Sequence, residues 1–149
     1  MTSRIIAVDP FNLVVFGGAG DLAFRKLIPA MYHRHRDGQL PAAASIYGVS
    51  RRPMSDDEYR KAAGQSLKEH VAAAELEPEV LSAFLQRLHF VPIDVMKEGG
   101  GWNALKAALD GDRNRIRAFY LAVGPELFET ICRMLGSHGL VTPDARVII

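Results

Sequence analysis

The residues with the most chemical content stand together near the start of the chain. Gly17-Gly18-Ala19-Gly20-Asp21-Leu22-Ala23 follows a short apolar run and opens a stretch with helical spacing. Gly18, Gly20 and Ala23 satisfy G-x-G-x-x-A, and Gly17, Gly20 and Ala23 also give G-x-x-G-x-x-A. Each small residue has a mechanical task in such a turn. The first glycine permits the tight bend, the next lets backbone amides reach a pyrophosphate, and Ala23 lets helix and strand pack closely. The helix N-terminus adds partial positive charge toward the anion. The expected chemistry is dinucleotide binding. Asp21 is the anomaly, because a carboxylate facing a pyrophosphate repels it. Asp21 is expected to turn back and accept from free first-turn amides, stiffening the loop while Gly17–Gly20 meet the phosphates.

Further candidates lie at the ends of later apolar runs. A site for NAD usually carries Asp or Glu at the end of its second strand, bonded to the ribose 2′-hydroxyl. Here the run ends Ser50-Arg51-Arg52, with no carboxylate. An arginine fork matches a 2′-phosphate, so Arg51 favours NADP over NAD, with dual use left open. Arg52 reads equally well as a solvated loop charge. Asp94 and Val95 follow the third strand, where a doubly wound fold can wall the adenine; a plain strand-end turn is the simpler reading. Tyr120 stands in the fourth strand beside the expected switch point, and composition alone makes it a core residue. His33, His35, His70, His89 and His138 have no metal-ligand spacing. Cys132, among apolar helical residues, is expected to be buried and inert. No Ser-His-Asp or paired-carboxylate constellation stands out.

The elements that must position these residues follow from periodicity and punctuation. Asn12–Phe16 reads as a buried strand and Asp21–Arg36 as a helix, with Gly38 as its stop. Ala44–Val49 is a second strand. Ser55-Asp56-Asp57-Glu58 forms a capping box for a helix to about His70. A helix from Pro78 to near Leu88 precedes a third strand, His89–Ile93, whose Pro92 places it at an end or an edge. Gly99–Gly101 reads as a flexible turn before a helix at Trp102–Leu109. Arg117–Val123 is a fourth strand, Pro125–Leu135 a helix, and Ala145–Ile149 a fifth strand. Strands alternating with helices predict an α/β fold, a Rossmann-like doubly wound and mainly parallel sheet with flanking helices.

The chain has 149 residues, enough for one domain with a real core, taken as 1–149. A net charge of +1 points to neither nucleic acid nor an acidic tail. No apolar run reaches the length of a membrane span, and MTSRIIAVDPF lacks the core of a signal peptide. The single cysteine fits a reducing compartment. A cytoplasmic location is expected. The ending Arg146-Val147-Ile148-Ile149 is the middle of a strand pattern, which suggests the front piece of a longer protein.

These motifs together resemble the glucose-6-phosphate dehydrogenase family along nearly the whole chain. Phe16–Tyr32, F-G-G-A-G-D-L-A-x-R-K-L-x-P-A-x-Y, is similar to the coenzyme turn and first helix of that family. Gly38-Gln39-Leu40-Pro41 resembles its D-G-L-L-P loop. Ile46–Arg51 resembles its I-x-G-x-x-R, whose arginine binds the NADP 2′-phosphate. Phe119-Tyr120-Leu121-Ala122 matches its F-Y-L-A strand, whose tyrosine lies by the coenzyme. The resemblance implies coenzyme contacts from Gly17, Gly18, Ala19, Gly20, Asp21, Leu22, Ala23, Arg51, Asp94, Val95 and Tyr120. It implies oxidation of glucose 6-phosphate to 6-phosphogluconolactone with hydride transfer to NADP⁺, the first step of the oxidative pentose phosphate pathway. It also implies a homo-oligomer at full length.

Departures from the family are specific. Phe24 stands where the resembling family usually has Lys or Arg, which removes a charge near the coenzyme. Gly124-Pro125 stands where the family often has Pro-Pro, leaving that turn less rigid. The E-K-P-x-G lysine, the R-I-D-H-Y histidine and its partner Asp are not in this sequence, nor is the substrate-binding β+α domain. No catalytic residue is therefore expected in this chain, and the piece alone is expected to be inactive. Two other readings stay open: a non-catalytic NAD(P)-binding redox sensor, and a short-chain reductase or epimerase. The latter needs Tyr-x-x-x-Lys, whereas Tyr59 and Tyr120 are followed four positions on by Ala63 and Gly124.

Overall fold

The computed structural model describes residues 8–149; the first part of the stretch read for a signal peptide lies outside the described residues. Five strands form one parallel sheet: β1 (Phe11–Phe16), β2 (Ala44–Ser50), β3 (Leu88–Pro92), β4 (Ile116–Leu121) and β5 (Arg146–Ile148). Their order is β3-β2-β1-β4-β5. The chain winds outward from β1 in one direction, then returns to β4 on the other side. The switch point between β1 and β4 is where a doubly wound sheet opens a crevice at its C-terminal edge. Central β1 is buried on both faces along Asn12–Phe16, as a strand covered on both sides must be. Pro92 closes outer strand β3, where its missing N–H leaves no gap in the ladder.

The helices are α1 (Ile28–Arg36), α2 (Asp56–His70), α3 (Pro78–Leu85), α4 (Gly100–Asp110) and α5 (Phe128–Ser137). Alternation along the strands divides the core by face. Leu13, Val15, Ile46 and Phe90 meet Tyr32, Tyr59, Leu67 and Phe84 on one side. Val14, Phe16, Val49 and Phe119 meet Trp102, Leu105 and Ile131 on the other. The capping box is complete: Glu58 N donates to Ser55 Oγ and Ser55 N to Glu58 Oε1, both at 3.1 Å.

The first helix departs from regular geometry. Ala23–Leu27 is a π turn, with Ile28 N–H donating to the Ala23 carbonyl five residues back. Pro29 supplies the cause. Its ring would clash with the carbonyl four residues earlier, that of Arg25, and it has no N–H to give. Widening the turn relieves the clash but leaves the Phe24 carbonyl without a helical donor, and Ser66 Oγ fills that role at 2.6 Å.

Other expectations change in detail. The helix at Pro78 ends at Leu85, three residues short. Gly100 and Gly101 belong to α4 rather than to a flexible turn, and a side chain at Gly101 would stand 2.6 Å from the Pro92 carbonyl oxygen. Cys132 is exposed, not buried. The buried positions of α5 are Ile131, Met134 and Leu135, and one residue past Ile131 turns about 100° away from them. His33 meets Glu75 at 3.4 Å and His35 meets Arg87 at 3.0 Å, so the two diverge.

Beneath α4, buried Arg117 donates to Asp110 Oδ1 at 2.8 Å and to the Leu140 carbonyl at 3.0 Å, while Lys106 reaches Asp110 Oδ2 at 2.6 Å. The Lys106 hydrogen bond, then that of Arg117, holds the Asp110 carboxyl down at about 2, against an ordinary 3.8. A depressed folded value stabilises above the unfolded value and is lost as pH falls through the folded one. Asp110→Asn therefore flattens the loss of stability between about pH 4 and about pH 2, read as denaturant midpoints across that window. An unchanged acid limb would remove Asp110 from the acid response.

Candidate functional site

The glycine turn is set by close approach of three strands. Gly17 N and Gly18 N both donate to the Val49 carbonyl, at 2.9 and 3.0 Å, which ties the end of β1 to the end of β2. Gly17 has φ +82°, and a side chain there would drive into the Ala122 carbonyl beyond β4. A side chain on Gly18 would stand 2.6 Å from the Gly48 Cα. Gly20 N closes the bend onto the Gly17 carbonyl at 3.0 Å, and Phe24 N bonds the Gly20 carbonyl at 3.1 Å. The amides of Ala19, Asp21, Leu22 and Ala23 find no acceptor among the described residues. They are the orphan donors of a helix start, gathered where the helix carries its partial positive charge. Of these, the amides of Ala19, Asp21 and Leu22 belong to residues that reach the surface, and three unpaired amides behind a glycine turn fit a phosphate group.

Beside this turn lies a cleft of about 320 Å³ along the C-terminal edge of the sheet. Phe16, Val49, Ile93, Val123 and Leu127 give it apolar walls. Gly17, Arg51, Asp94 and Val95 line it too, so residues far apart in sequence, from Phe16 to Leu127, meet at one crevice. Arg51 follows β2 directly and is exposed, and no carboxylate among the described residues pairs with it. Its guanidinium is therefore free for an anion. Asp94 lines the cleft and also builds a turn: its Oδ1 accepts from Met96 N at 3.0 Å. The strand-end turn is present, and it leaves Asp94 in the cleft wall. Val95 packs on the core below.

Two expected residues sit differently. The Asp21 carboxylate does not cap the turn amides; it pairs with Arg25 Nη1 at 3.1 Å, one helical turn on, and is 78% exposed. In the first turn, i to i+4 pairing is closer to hand than a fold back onto the loop, and Arg25 offsets the charge that would repel a phosphate. Tyr120 pairs in register with Val15 and is half-buried against the opposite face of the sheet from the cleft. Leu22 is exposed on the turn and Ala23 is fully buried behind it, matching its expected packing role. Phe24 puts its ring against Tyr59, centroids 5.8 Å apart, an aromatic contact between the start of the first helix and α2.

Sequence reading missed two supports. Tyr59 on α2 donates its hydroxyl to the Gly18 carbonyl at 2.8 Å. Trp102 packs on Phe16 beneath the cleft, centroids 5.7 Å apart, and its Nε1 donates to the Lys97 carbonyl at 3.1 Å. Both are aromatic residues on amphipathic helices. Only the facing Gly18–Gly48 pair, which leaves space for a ring, hints at the first of them.

Comparison with known proteins agrees with this geometry. Residues 14–149 match the family described as glucose-6-phosphate dehydrogenase, NAD binding domain. The glucose-6-phosphate 1-dehydrogenase of Rhizobium meliloti (strain 1021) is 46% identical over 149 residues, covering all of this chain and 30% of that protein. The crystal structure of glucose-6-phosphate 1-dehydrogenase from Mycobacterium avium superposes with TM-score 0.81 at 27% identity, over 93% of this chain and 29% of the other. A structure of glucose-6-phosphate dehydrogenase in complex with its substrate glucose 6-phosphate gives TM-score 0.82 at 25% identity, over 97% of this chain and 31% of the other. The chain thus spans about 30% of the length of its curated relatives. Among the described residues, no helix is long and apolar enough to cross a membrane.

Proposed function

The chain belongs to the glucose-6-phosphate dehydrogenase family, within its NAD-binding domain, and from that premise we propose that it holds NADP for an enzyme oxidising glucose 6-phosphate. The observation that carries the choice of coenzyme is Arg51, unpaired at the end of β2 in the wall of the cleft. The amides of Ala19, Asp21 and Leu22 would hold the pyrophosphate, with Gly17, Gly18 and Gly20 keeping the turn bare of side chains. Arg51 would take the 2′-phosphate, Asp94 and Val95 would wall the adenine, and Tyr120 would lie along the coenzyme from the other face. When bound, NADP⁺ supplies the acceptor for the hydride leaving C1 of glucose 6-phosphate. This chain binds and orients. None of the residues assigned a role here is a base for the C1 hydroxyl proton, so the chain by itself is expected to show no oxidation of glucose 6-phosphate, and detectable turnover would refute this division of labour.

Calorimetric titration tests the assignment. Arg51→Ala should weaken NADP⁺ by about 10- to 100-fold, the worth of a charge-assisted hydrogen bond, and leave NAD⁺ within about twofold. Equal losses for both coenzymes, or no binding of either by the unaltered chain, would overturn it.

A further inference from the structure

Tyr59 lies in the first turn of α2, 41 residues from the glycine turn, yet its hydroxyl ends on that turn. The ring is fully buried among Phe24, Phe90 and Gly48. Gly48 has no room for a side chain because the Tyr59 ring fills the space above it. The hydroxyl donates to the Gly18 carbonyl at 2.8 Å, wholly out of solvent, and burial pushes its ionisation far above the ordinary range. It is a neutral, fixed donor at any ordinary pH.

The consequence lies in the peptide that this bond grips. A trans peptide holds C=O and N–H in one plane, pointing in opposite directions. The carbonyl is that of Gly18 and the N–H is that of Ala19. With the carbonyl drawn inward to Tyr59, the Ala19 N–H is turned outward, and it has no acceptor among the described residues. A flip of this peptide would bury the N–H and turn the carbonyl oxygen toward any bound anion; it would also swing Ala19 to positive φ, which its Cβ disfavours, so the Tyr59 hydroxyl adds to a bias the turn already has. We propose that Tyr59 is a positioning residue for coenzyme binding: its hydroxyl locks the Gly18–Ala19 peptide with the Ala19 amide facing the pyrophosphate. This rests on the NADP reading above. Ser66 acts one helical stretch along, holding the Phe24 carbonyl at 2.6 Å, so α2 grips both the turn and the π segment behind it.

Tyr59→Phe removes the hydroxyl and keeps the ring that fills the core. The test is titration of the unaltered chain and of Tyr59→Phe with NADP⁺ and with adenosine 2′-monophosphate, which carries the Arg51 contact but no pyrophosphate. The expected result is an NADP⁺ affinity about five- to tenfold weaker in the variant, with adenosine 2′-monophosphate unchanged within about twofold. The unchanged ligand also reports a folded cleft. Equal NADP⁺ affinity in both proteins would overturn the proposal, and so would parallel losses for both ligands, the mark of a merely structural role. Absence of NADP⁺ binding by the unaltered chain would instead strike the coenzyme reading itself, and Tyr59 with it.

Discussion

A Gly17→Ala protein is expected to lose about 2–5 kcal/mol of folding stability, by the sum of a backbone cost and an overpacking cost. The backbone term comes from φ +82°, a conformation that a Cβ disfavours by roughly 1–2 kcal/mol. The packing term comes from the Ala122 carbonyl, which occupies the space where the new methyl must go, and from Val123 Cγ1 at 3.0 Å. Neither neighbour yields easily. Ala122 N is bonded to the Phe16 carbonyl at 2.8 Å, so its peptide is part of the sheet edge. Forcing it aside costs roughly 1–3 kcal/mol.

Gly38→Ala separates the two terms. Gly38 has φ +70° but nothing within 4 Å of a would-be Cβ. It should cost only the backbone part, roughly 1–2 kcal/mol. The difference between the two variants, measured as denaturant midpoints at constant slope, is the worth of the close approach between the glycine turn and β4. Gly17→Ala should also weaken NADP⁺ by about tenfold or more, because a shift of 1.4 kcal/mol in the turn is enough for that factor. Equal destabilisation by the two alanines would mean that the turn relaxes away from β4 freely, and that its position is not what the glycine protects.

The same contrast explains what the sequence makes legible. The alternation of strands and helices along the chain and the glycine turn are visible because each rests on local rules. Apolar runs end at glycines, a capping box opens α2, and Pro92 marks an outer strand. Arg51, Asp94 and Val95 could be placed because a doubly wound sheet brings its strand ends to one edge, and they do line one cleft. What escaped reading depends on tertiary choice. Asp21 had two neighbours to bond, loop amides or Arg25, and the competition is settled by the geometry of the first turn. Cys132 sits in an apolar neighbourhood of sequence but one step off the buried stripe of α5. The π turn needs both Pro29 and a donor from α2 to be stable, and Ser66 is 42 residues from the carbonyl it serves. Tyr59 was visible only as a tyrosine lacking a lysine four positions on.

Trp102→Ala is the other large effect, about 3–5 kcal/mol of stability, as for deletion of a fully buried aromatic side chain. Trp102 has a place in function as well as in the core. Its ring supports Phe16, which walls the cleft, and its Nε1 holds the Lys97 carbonyl, closing the segment that carries Asp94, Val95 and Met96. His138 stacks on the same ring, centroids 5.4 Å apart, so α5 is fastened to α4 through it. Because it is the only tryptophan in the chain, its own emission disappears in the variant, and unfolding is better followed by circular dichroism. Trp102→Phe keeps most of the buried area and gives up the Lys97 bond, for a loss of about 1 kcal/mol. Both variants should weaken NADP⁺ and NAD⁺ by the same factor, since the cleft floor moves while Arg51 keeps its place at the end of β2. A changed ratio of the two coenzymes would show that the 94–97 segment and Arg51 act as one unit. A loss below about 1 kcal/mol in Trp102→Ala would mean that α4 collapses onto Phe16 without the indole.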